Sequence, residues 1–163
     1  MKKAIYTGTF DPITNGHIDI IKRGLKIFDE IVIAVGINDN KKPMFDIQQR
    51  VELIKDATKN LKGIRVLSFD NLVVDFAKEQ GISNIIRGLR AFSDFEYELQ
   101  MGYANNSLDE NLETIYLMPS LNNAFISSSI VRELIKHKGK ICHLVPDEII
   151  EKLQNIKELE ECI

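Results

Sequence analysis

The sequence has few cysteines and no apolar run long enough to cross a membrane. Nowhere do its residues approach the roughly 18 uninterrupted apolar positions that a spanning helix needs. The N-terminal Met1 runs into a polar loop at Gly8 too early for a secretory signal peptide. The only cysteines, Cys142 and Cys162, form no CxxC pair and have no histidine at metal-ligand spacing. We therefore expect a cytoplasmic protein with free thiols.

The chain also lacks an excess of positive charge. Its 21 lysines and arginines face 24 aspartates and glutamates, which gives a net charge of -3. Such a protein has no global field that would attract nucleic acid, so any anionic ligand must be bound by a local cluster of cations. Hydrophobic residues make up 44% and charged residues 28%, close to the average of soluble globular proteins. The composition argues against a disordered or membrane-spanning chain and, with 163 residues, favours one domain.

Apolar runs alternate with amphipathic segments along the chain. The β-branched runs predict five strands, at residues 3–6, 30–37, 63–69, 84–87 and 114–118. Spacings of three and four predict helices at 17–28, after Asp46, at 72–80, 92–108 and 128–137, and from Pro146 onward.

This alternation predicts an α/β domain, with a Rossmann-like parallel five-stranded sheet and helices on both of its faces. We expect residues 1–163 to form this single domain, with a C-terminal helical segment from about residue 146. Ligands of such sheets bind outside the carboxyl ends of the strands. The loops that follow the strands are therefore the places to look for functional residues.

The first of these loops reads GTFDPITNGH, from Gly8 to His17. The glycines allow close backbone approach, Thr9 offers a hydroxyl, and His17 stands beside the amides of a helix N-terminus, which together form a seat for phosphate. The alternative is an ordinary turn followed by a histidine that caps or packs. GxGxxG and Walker motifs are both absent.

A second candidate is the serine run that follows the fifth strand, Ser127, Ser128 and Ser129, with Arg132 one helical turn further on. Consecutive serines at a helix start can present hydroxyls and amides to a polyphosphate. The alternative is that they simply cap the helix.

A third candidate is the end of the fourth strand, where Arg87 and Arg90 flank Gly88 and Leu89. Two arginines at a carboxyl strand end in an acidic protein suggest an anion clamp. Lys41 and Lys42 follow the second strand and add cations at the same predicted edge. We expect all these segments to converge at one edge of the sheet. Each segment alone is a weak signal, so the prediction of a site depends on this convergence.

Together GTFDPITNGH, KKPMF, IIRGLRAFSDFEYE and FISSSIVRE resemble the bacterial phosphopantetheine adenylyltransferase family of the nucleotidyltransferase superfamily. The resemblance runs from Ala4 to about Pro146. Thr7 stands where relatives commonly have proline, a departure that we expect to affect turn rigidity but no functional group.

The resemblance implies a nucleotidyltransferase fold and transfer of the AMP part of ATP to 4'-phosphopantetheine, giving dephospho-coenzyme A and pyrophosphate. It implies Mg²⁺ carried on the ATP phosphates, with no metal ligand from the protein; we expect Asp11 to structure the turn instead. It implies a homohexamer and raises coenzyme A as a feedback inhibitor. The sequence leaves the inhibition open.

The resemblance also implies roles for single residues. His17, Thr9, Lys41 and Arg90 would be catalytic. The substrate-binding residues would be Thr9, Lys41, Leu72, Val73 and Arg87. The ATP-binding residues would be Thr9, Phe10, His17, Gly88, Leu89, Arg90, Glu98, Asn123, Ala124, Phe125, Ile126, Ser127, Ser128 and Ser129.

Three other functions remain to be weighed. A serine hydrolase built on Ser128, His17 and Asp11 lacks the GxSxG elbow. Another nucleotidyltransferase, acting on nicotinate mononucleotide or a cytidine nucleotide, would share the phosphate-binding residues. A non-catalytic nucleotide-binding module would keep the site but not the turnover. Of these alternatives, the other nucleotidyltransferases are the closest to the implied activity, and acceptor specificity distinguishes them from it.

Overall fold

The computed structural model describes residues 1–37, 42–90 and 92–157, without the side chains of residues 92–94. All strand pairs are parallel, with β1 in the centre of the order β3-β2-β1-β4-β5. The strands are β1 (Lys3–Gly8), β2 (Glu30–Gly36), β3 (Ile64–Phe69), β4 (Asn84–Gly88) and β5 (Glu113–Leu117). The helices are α1 (Asn15–Gly24), α2 (Ile47–Thr58), α3 (Val73–Gln80), α4 (Phe92–Leu108), α5 (Ser128–Lys136) and α6 (Ile150–Lys157).

The sheet separates two hydrophobic clusters, because successive residues of a strand face opposite sides. Ile31, Ile33 and Val35 of β2 pack in the cluster formed with α1, α2, α5 and α6. Val32 and Ala34 pack on the opposite face, in the cluster that includes α3. Helix α4 joins the α3 face, where the Tyr116 hydroxyl donates to the carbonyl of Glu98 at 2.8 Å. The predicted parallel sheet with helices on both faces is confirmed.

Side-chain caps determine where the helices begin and end. Thr14 and Asp46 form capping boxes at the starts of α1 and α2, each accepting the amide three residues later. Helix α3 ends at Gly81, whose φ of 64° lies in the left-handed region that favours glycine. The start of α2 after Asp46 and the end of α3 at Gln80 agree with the sequence analysis.

Three expectations differ from the structure. Helix α1 ends at Gly24, four residues before the predicted end at Phe28. Pro146 does not begin the last α-helix, because a 3-10 turn at Asp147–Ile149 comes first and α6 starts at Ile150. Cys142 is disulfide-bonded, so the expectation of a free thiol is wrong for this residue. Cys162 lies outside the described residues. Cys142 and Cys162 stand singly in the sequence, and their spacing does not by itself predict a bond.

No helix within the described ranges combines the length and the apolar character that crossing a membrane requires.

Candidate active site

A cavity of about 690 Å³ opens where β1 and β4 end, at Gly8 and Gly88. This volume is ordinary for a small-molecule site. The described residues that line it come from four regions of the sequence: Tyr6, Thr7, Gly8, Thr9, Phe10, Asp11, Gly16, His17, Ile20, Lys42, Pro43, Arg87, Gly88, Arg90, Tyr97, Glu98, Pro119, Ile126, Ser127, Ser128, Ser129 and Arg132.

Most of the predicted site residues meet in this cavity. The first loop, the arginine segment and the serine run all contribute to its wall. Lys41 lies outside the described residues, although the neighbouring Lys42 lines the cavity. The structure does not bring six predicted residues to its wall: Leu72, Val73, Leu89, Asn123, Ala124 and Phe125. Phe125 is 59% exposed and Leu72 is 60% exposed.

Buried charges hold the loop between β1 and α1. The guanidinium of Arg50, on α2, donates to the carbonyls of Thr9, Gly36 and Phe45 at 2.8, 3.0 and 3.1 Å. The carboxylate of Asp11 accepts the amides of Met44 and Phe45 at 2.8 and 2.9 Å. Both residues are only 3% exposed. Thr9 is thereby fixed relative to the segment that follows β2.

Arg132 ties the same loop to helix α5. Its guanidinium donates to the Asp11 carbonyl at 2.7 Å and to the Ser129 hydroxyl at 3.1 Å. The Asp11 carboxylate lies 3.8 Å away. Arg132 therefore connects the two phosphate-binding candidates that are farthest apart in sequence.

His17 is neutral, and its neighbours fix its tautomer. The Thr14 amide donates to Nδ1 of His17 at 3.0 Å, so Nδ1 carries no hydrogen and the proton resides on Nε2. Burial, followed by the charges of Arg90 and Arg87, lowers the pKa of His17 from 6.5 to about 3. The Phe10 ring supports the imidazole edge-on, with centroids 5.0 Å apart. A neutral hydrogen-bond donor thus faces a cavity lined by cations.

Phe10 itself is 2% exposed and adopts a positive φ of 50°. A Cβ added to Gly8 would lie 3.0 Å from the Phe10 ring, so glycine is needed there for close packing. The Phe10 ring therefore packs against both Gly8 and the imidazole of His17. Its predicted contact with adenosine stays a prediction.

The three serines make different contacts. The Ser127 hydroxyl accepts the Ile130 amide at 3.2 Å and so caps α5. The Ser128 hydroxyl donates to the Pro12 carbonyl at 2.7 Å, which joins α5 to the first loop. The amides of Ser128 and Ser129 open the helix and have no partner within it. Amides in this position, at the positive end of the helix dipole, suit a polyanion.

The segment before the serines is held against α1. The Asp19 carboxylate accepts the Ser120 amide at 2.6 Å and pairs with Arg23 at 3.3 Å. Burial alone would raise the pKa of Asp19, but these hydrogen bonds outweigh it and lower the pKa. A Cβ on Gly16 would lie 3.0 Å from the Ile126 carbonyl, so glycine permits this approach.

Arg87 is clamped by Glu98 and Thr7. Nε and Nη2 of Arg87 donate to the two carboxylate oxygens of Glu98, the Nε contact at 2.6 Å. Nη1 donates to the carbonyl and hydroxyl of Thr7 at 2.7 and 2.8 Å. Burial works to lower the pKa of Arg87, but Glu98 outweighs it and the pKa is raised. The expectation that Thr7 touches no functional group is wrong.

A smaller cavity of about 190 Å³ adjoins the first. The two share four lining residues, namely Thr7, Arg87, Tyr97 and Glu98. The remaining described wall is mostly apolar or small: Val73, Ile85, Met101, Gly102, Asn105 and Thr114. Arg87 therefore stands at the junction of a large polar cavity and a narrower apolar one.

The geometry does not support the serine-hydrolase alternative. The Ser128 hydroxyl is bound to Pro12, and Nδ1 of His17 is bound to Thr14, so neither forms the nucleophile–base–acid chain. Asp11 binds backbone amides instead of the imidazole.

Carboxylates that could hold a metal are already engaged. Of the described residues lining the cavity, Asp11 and Glu98 carry carboxylates, and both are bound to protein donors. Among the described residues no three histidine, cysteine or acidic side chains cluster as metal ligands. The Asp11 contacts agree with the turn-structuring role expected from the sequence.

Sequence reasoning missed three residues that shape the site. Arg50 and Asp19 act through hydrogen bonds to loops distant in sequence, and Thr7 acts through a hydrogen bond to Arg87 on the adjacent strand. Arg50 stands among the polar residues of an amphipathic helix and looks exposed in the sequence pattern. For Thr7 a signal existed, since alternation along β1 puts it on the same face as Arg87.

Comparison with known proteins identifies the class of protein to which this fold and site belong. The chain matches the cytidylyltransferase-like family over residues 5–134, most of its length, and so belongs to that family of nucleotidyltransferases. A solved structure from Vibrio parahaemolyticus, described as a "Putative Nicotinate-nucleotide Adenylyltransferase", superimposes with a TM-score of 0.73, covering 96% of this chain and 94% of that one. At 19% identity this likeness concerns the fold alone.

Within the family, sequence identity narrows the assignment. The chain is 63% identical over 151 residues to the phosphopantetheine adenylyltransferase of Nautilia profundicola, covering 93% of this chain and 98% of that one. It is 61% identical over 153 residues to the phosphopantetheine adenylyltransferase of Campylobacter hominis, covering 94% and 96%. The chain belongs to the phosphopantetheine adenylyltransferases, which confirms the resemblance stated from its motifs.

The environment of His17 predicts an unusual titration. In the protein without ligands we expect the ring to stay neutral, with its proton on Nε2, from about pH 8 down to about pH 5. Ring-nitrogen NMR, with His17→Gln to assign the signals, measures this directly. A protonation midpoint near the ordinary value, or a proton on Nδ1, would contradict the assignment.

The same pKa has a consequence for stability. Between pH 6.5 and about 3 the unfolded chain binds a proton at His17 that the folded chain does not. The contribution of His17 to the free energy of unfolding therefore falls as the pH drops through this window. His17→Gln should lose that part of the slope in denaturant titrations.

The contacts of Arg50 predict that its removal lowers the stability of the protein. Arg50→Met leaves three carbonyls without their donor, and we expect the free energy of unfolding to fall by about 3 kcal/mol. The control is Arg65→Met, since Arg65 is exposed and pairs with Glu30 at 3.2 Å; this change should cost less than about 1 kcal/mol. Equal costs in urea titrations would show that the buried contacts contribute nothing extra.

Proposed function

We propose that the chain transfers the adenylyl group of ATP to 4'-phosphopantetheine, which forms dephospho-coenzyme A and pyrophosphate. The observation that carries this proposal is the position of Arg87 at the junction of the two cavities. The reaction needs two anionic substrates side by side, one a triphosphate and the other a phosphate with a long, partly apolar arm. The names and the high identity of the relatives support the same reaction.

On the acceptor side, the phosphate of phosphopantetheine would bind Arg87 and the Thr9 hydroxyl. Its arm would extend into the smaller cavity, along Val73 and Met101. The side-chain amide of Asn105 in the same wall offers both a donor and an acceptor for the amides of the arm. Leu72 and Lys41 remain further candidates from the sequence.

On the donor side, the triphosphate of ATP would bind Arg90 and the amides of Ser128 and Ser129. Arg90 lines the cavity and donates to the Ile126 carbonyl at 3.4 Å, which keeps it beside the serine segment. The N-terminal end of α5 adds the positive pole of its dipole. Gly88, Glu98 and the 123–126 segment would surround the adenosine.

In the reaction an oxygen of the acceptor phosphate attacks the α-phosphorus of ATP. The bond from this phosphorus to the oxygen bridging to the β-phosphate breaks, and pyrophosphate leaves with the bonding electrons. The Nε2 hydrogen of His17 would donate to an α-phosphate oxygen as negative charge accumulates there. No protein nucleophile is required, so positioning and charge stabilisation supply the catalysis.

Mg²⁺ belongs in this proposal as a part of the nucleotide substrate. Because Asp11 and Glu98 already bind protein donors, the described residues offer no cage for it. When bound to the ATP phosphates, the ion would supply neutralisation of their charge, and it commonly keeps several of its waters.

The contents of the smaller cavity also bear on the choice of acceptor. Nicotinate mononucleotide carries a ring carboxylate in addition to its phosphate. Among the described residues lining the smaller cavity Arg87 is the single cation, and its charge is balanced by Glu98. An uncharged arm suits this wall better than a second anion.

The assignment predicts a strict acceptor requirement. With ATP and Mg²⁺, pyrophosphate release should need 4'-phosphopantetheine and should yield dephospho-coenzyme A by mass spectrometry. Release with nicotinate mononucleotide alone would overturn the acceptor assignment.

The proposed role of His17 has its own test. His17→Gln, which keeps a hydrogen-bond donor but moves it, should lower kcat by about a hundredfold while the protein remains folded.

We also propose that the chain acts as a single domain over 1–163 and assembles as a hexamer in the cytoplasm, where its substrate ATP is abundant. Helix α4 supports the assembly, because it exposes several large apolar side chains: Phe95, Tyr97, Met101, Tyr103 and Leu108. The disulfide at Cys142 is unusual for a reducing compartment. Coenzyme A, which shares the pantetheine arm, would compete for the same two cavities.

The assembly has its own test. Light scattering should give six chain masses for the protein, and Tyr103→Glu should lower that mass, since this side chain is 70% exposed on α4. The matched control is Ile27→Glu, an apolar residue 49% exposed beyond α1, which should leave the mass unchanged. A monomer for the unmodified chain would contradict the proposal.

A further inference from the structure

Thr7 and Arg87 are neighbours because of the strand register. Tyr6 pairs with Ile86 across β1 and β4, so Thr7 and Arg87 are the next residues on adjacent strands. Tyr6 and Ile86 both pack in the cluster with α1 and α2. Since side chains alternate, Thr7 and Arg87 both point to the opposite face, where α4 supplies Glu98.

The contacts of Arg87 account for nearly all of its donors. A guanidinium has five N–H groups. Glu98 accepts one from Nε and one from Nη2, and Thr7 accepts both from Nη1, one at its carbonyl and one at its hydroxyl. A single Nη2 hydrogen is left without an acceptor among the described residues.

The geometry points to Thr7 as a positioning residue for the acceptor phosphate: its hydroxyl holds the Arg87 guanidinium so that the remaining Nη2 hydrogen is presented at the junction of the two cavities. This inference rests on the proposed function of Arg87 as a phosphate ligand. It assigns to the Thr7 side chain a role that proline at this position would lack.

The carbonyl and the hydroxyl of Thr7 have separable effects. Every residue at position 7 provides the carbonyl, so its contact with Nη1 survives substitution. The hydroxyl contact at 2.8 Å does not. Its loss leaves one Nη1 hydrogen of this half-buried cation unpaired and removes one of the four contacts that orient the guanidinium. The acceptor then binds to a cation that is less firmly oriented.

The test compares Thr7→Val, which removes the hydroxyl at nearly constant shape, with Thr7→Ser, which retains it. The dissociation constants of 4'-phosphopantetheine and of ATP are measured separately by calorimetry. For Thr7→Val we expect the constant for 4'-phosphopantetheine to rise about tenfold and that for ATP to stay within about twofold. Thr7→Ser should bind both substrates nearly as the unmodified chain does.

A matched control separates positioning from stability. The Thr58 hydroxyl donates to the Ile54 carbonyl at 2.7 Å, at the C-terminal end of α2, and Thr58 lines neither of the two cavities. Thr58→Val removes a hydroxyl of the same kind and should change thermal stability without changing either dissociation constant. A loss of both ligands together with a large drop in the melting temperature of Thr7→Val would show a structural role and overturn the inference.

A double-variant cycle tests whether Thr7 acts through Arg87. In an Arg87→Lys background the hydroxyl has no guanidinium to hold, so Thr7→Val should have little further effect on phosphopantetheine binding. Additive effects would overturn the inference, as would unchanged binding by Thr7→Val alone. If the unmodified chain does not bind 4'-phosphopantetheine, the proposed function itself fails, and that outcome is distinct from the others.

Discussion

The active-site loop depends on two buried side chains of opposite charge, Arg50 and Asp11. Neither makes a direct salt bridge to the other; backbone carbonyls of three segments satisfy Arg50, and backbone amides of the segment after β2 satisfy Asp11. The guanidinium orders three carbonyls and the carboxylate orders two amides, so the loop after β1 and the segment after β2 become one rigid unit. Burying such groups is costly, and the cost is offset because their hydrogen bonds are satisfied.

This rigidity allows a neutral imidazole to sit among cations. The capping box that starts α1 uses the Thr14 amide to occupy Nδ1 of His17. Arg87 and Arg90 then disfavour a second proton on the ring. The imidazole consequently stays neutral well below the ordinary histidine pKa of 6.5, with its remaining hydrogen on Nε2. The helix start, the ring tautomer and the electrostatics of the cavity are thus one arrangement.

The sequence predicted the sheet, most element boundaries and the segments that meet at its edge, because these follow from local patterns. Alternation and helix spacing are properties of neighbouring residues. The start of α2 at Asp46 and the end of α3 at Gly81 can be recognised from the type of a single residue. The contacts of Arg50 and Asp19 are different, since each joins backbone groups of loops far away in sequence. Periodicity can place such a residue on a helix face but cannot identify its partners. The disulfide bond of Cys142 likewise cannot be predicted from local sequence patterns.

The charge balance of the cavity explains how an acidic protein binds two polyanions. Among the described lining residues there are four cations, Lys42, Arg87, Arg90 and Arg132, and two carboxylates. Glu98 neutralises Arg87, so this arginine contributes direction more than charge. Under the proposed roles of Arg87 and Thr7, selectivity would depend on where individual N–H groups point, and the strand register and the Thr7 hydroxyl orient those of Arg87. A field made only of excess charge would attract any anion, whereas oriented donors distinguish a phosphate at the junction from other anions.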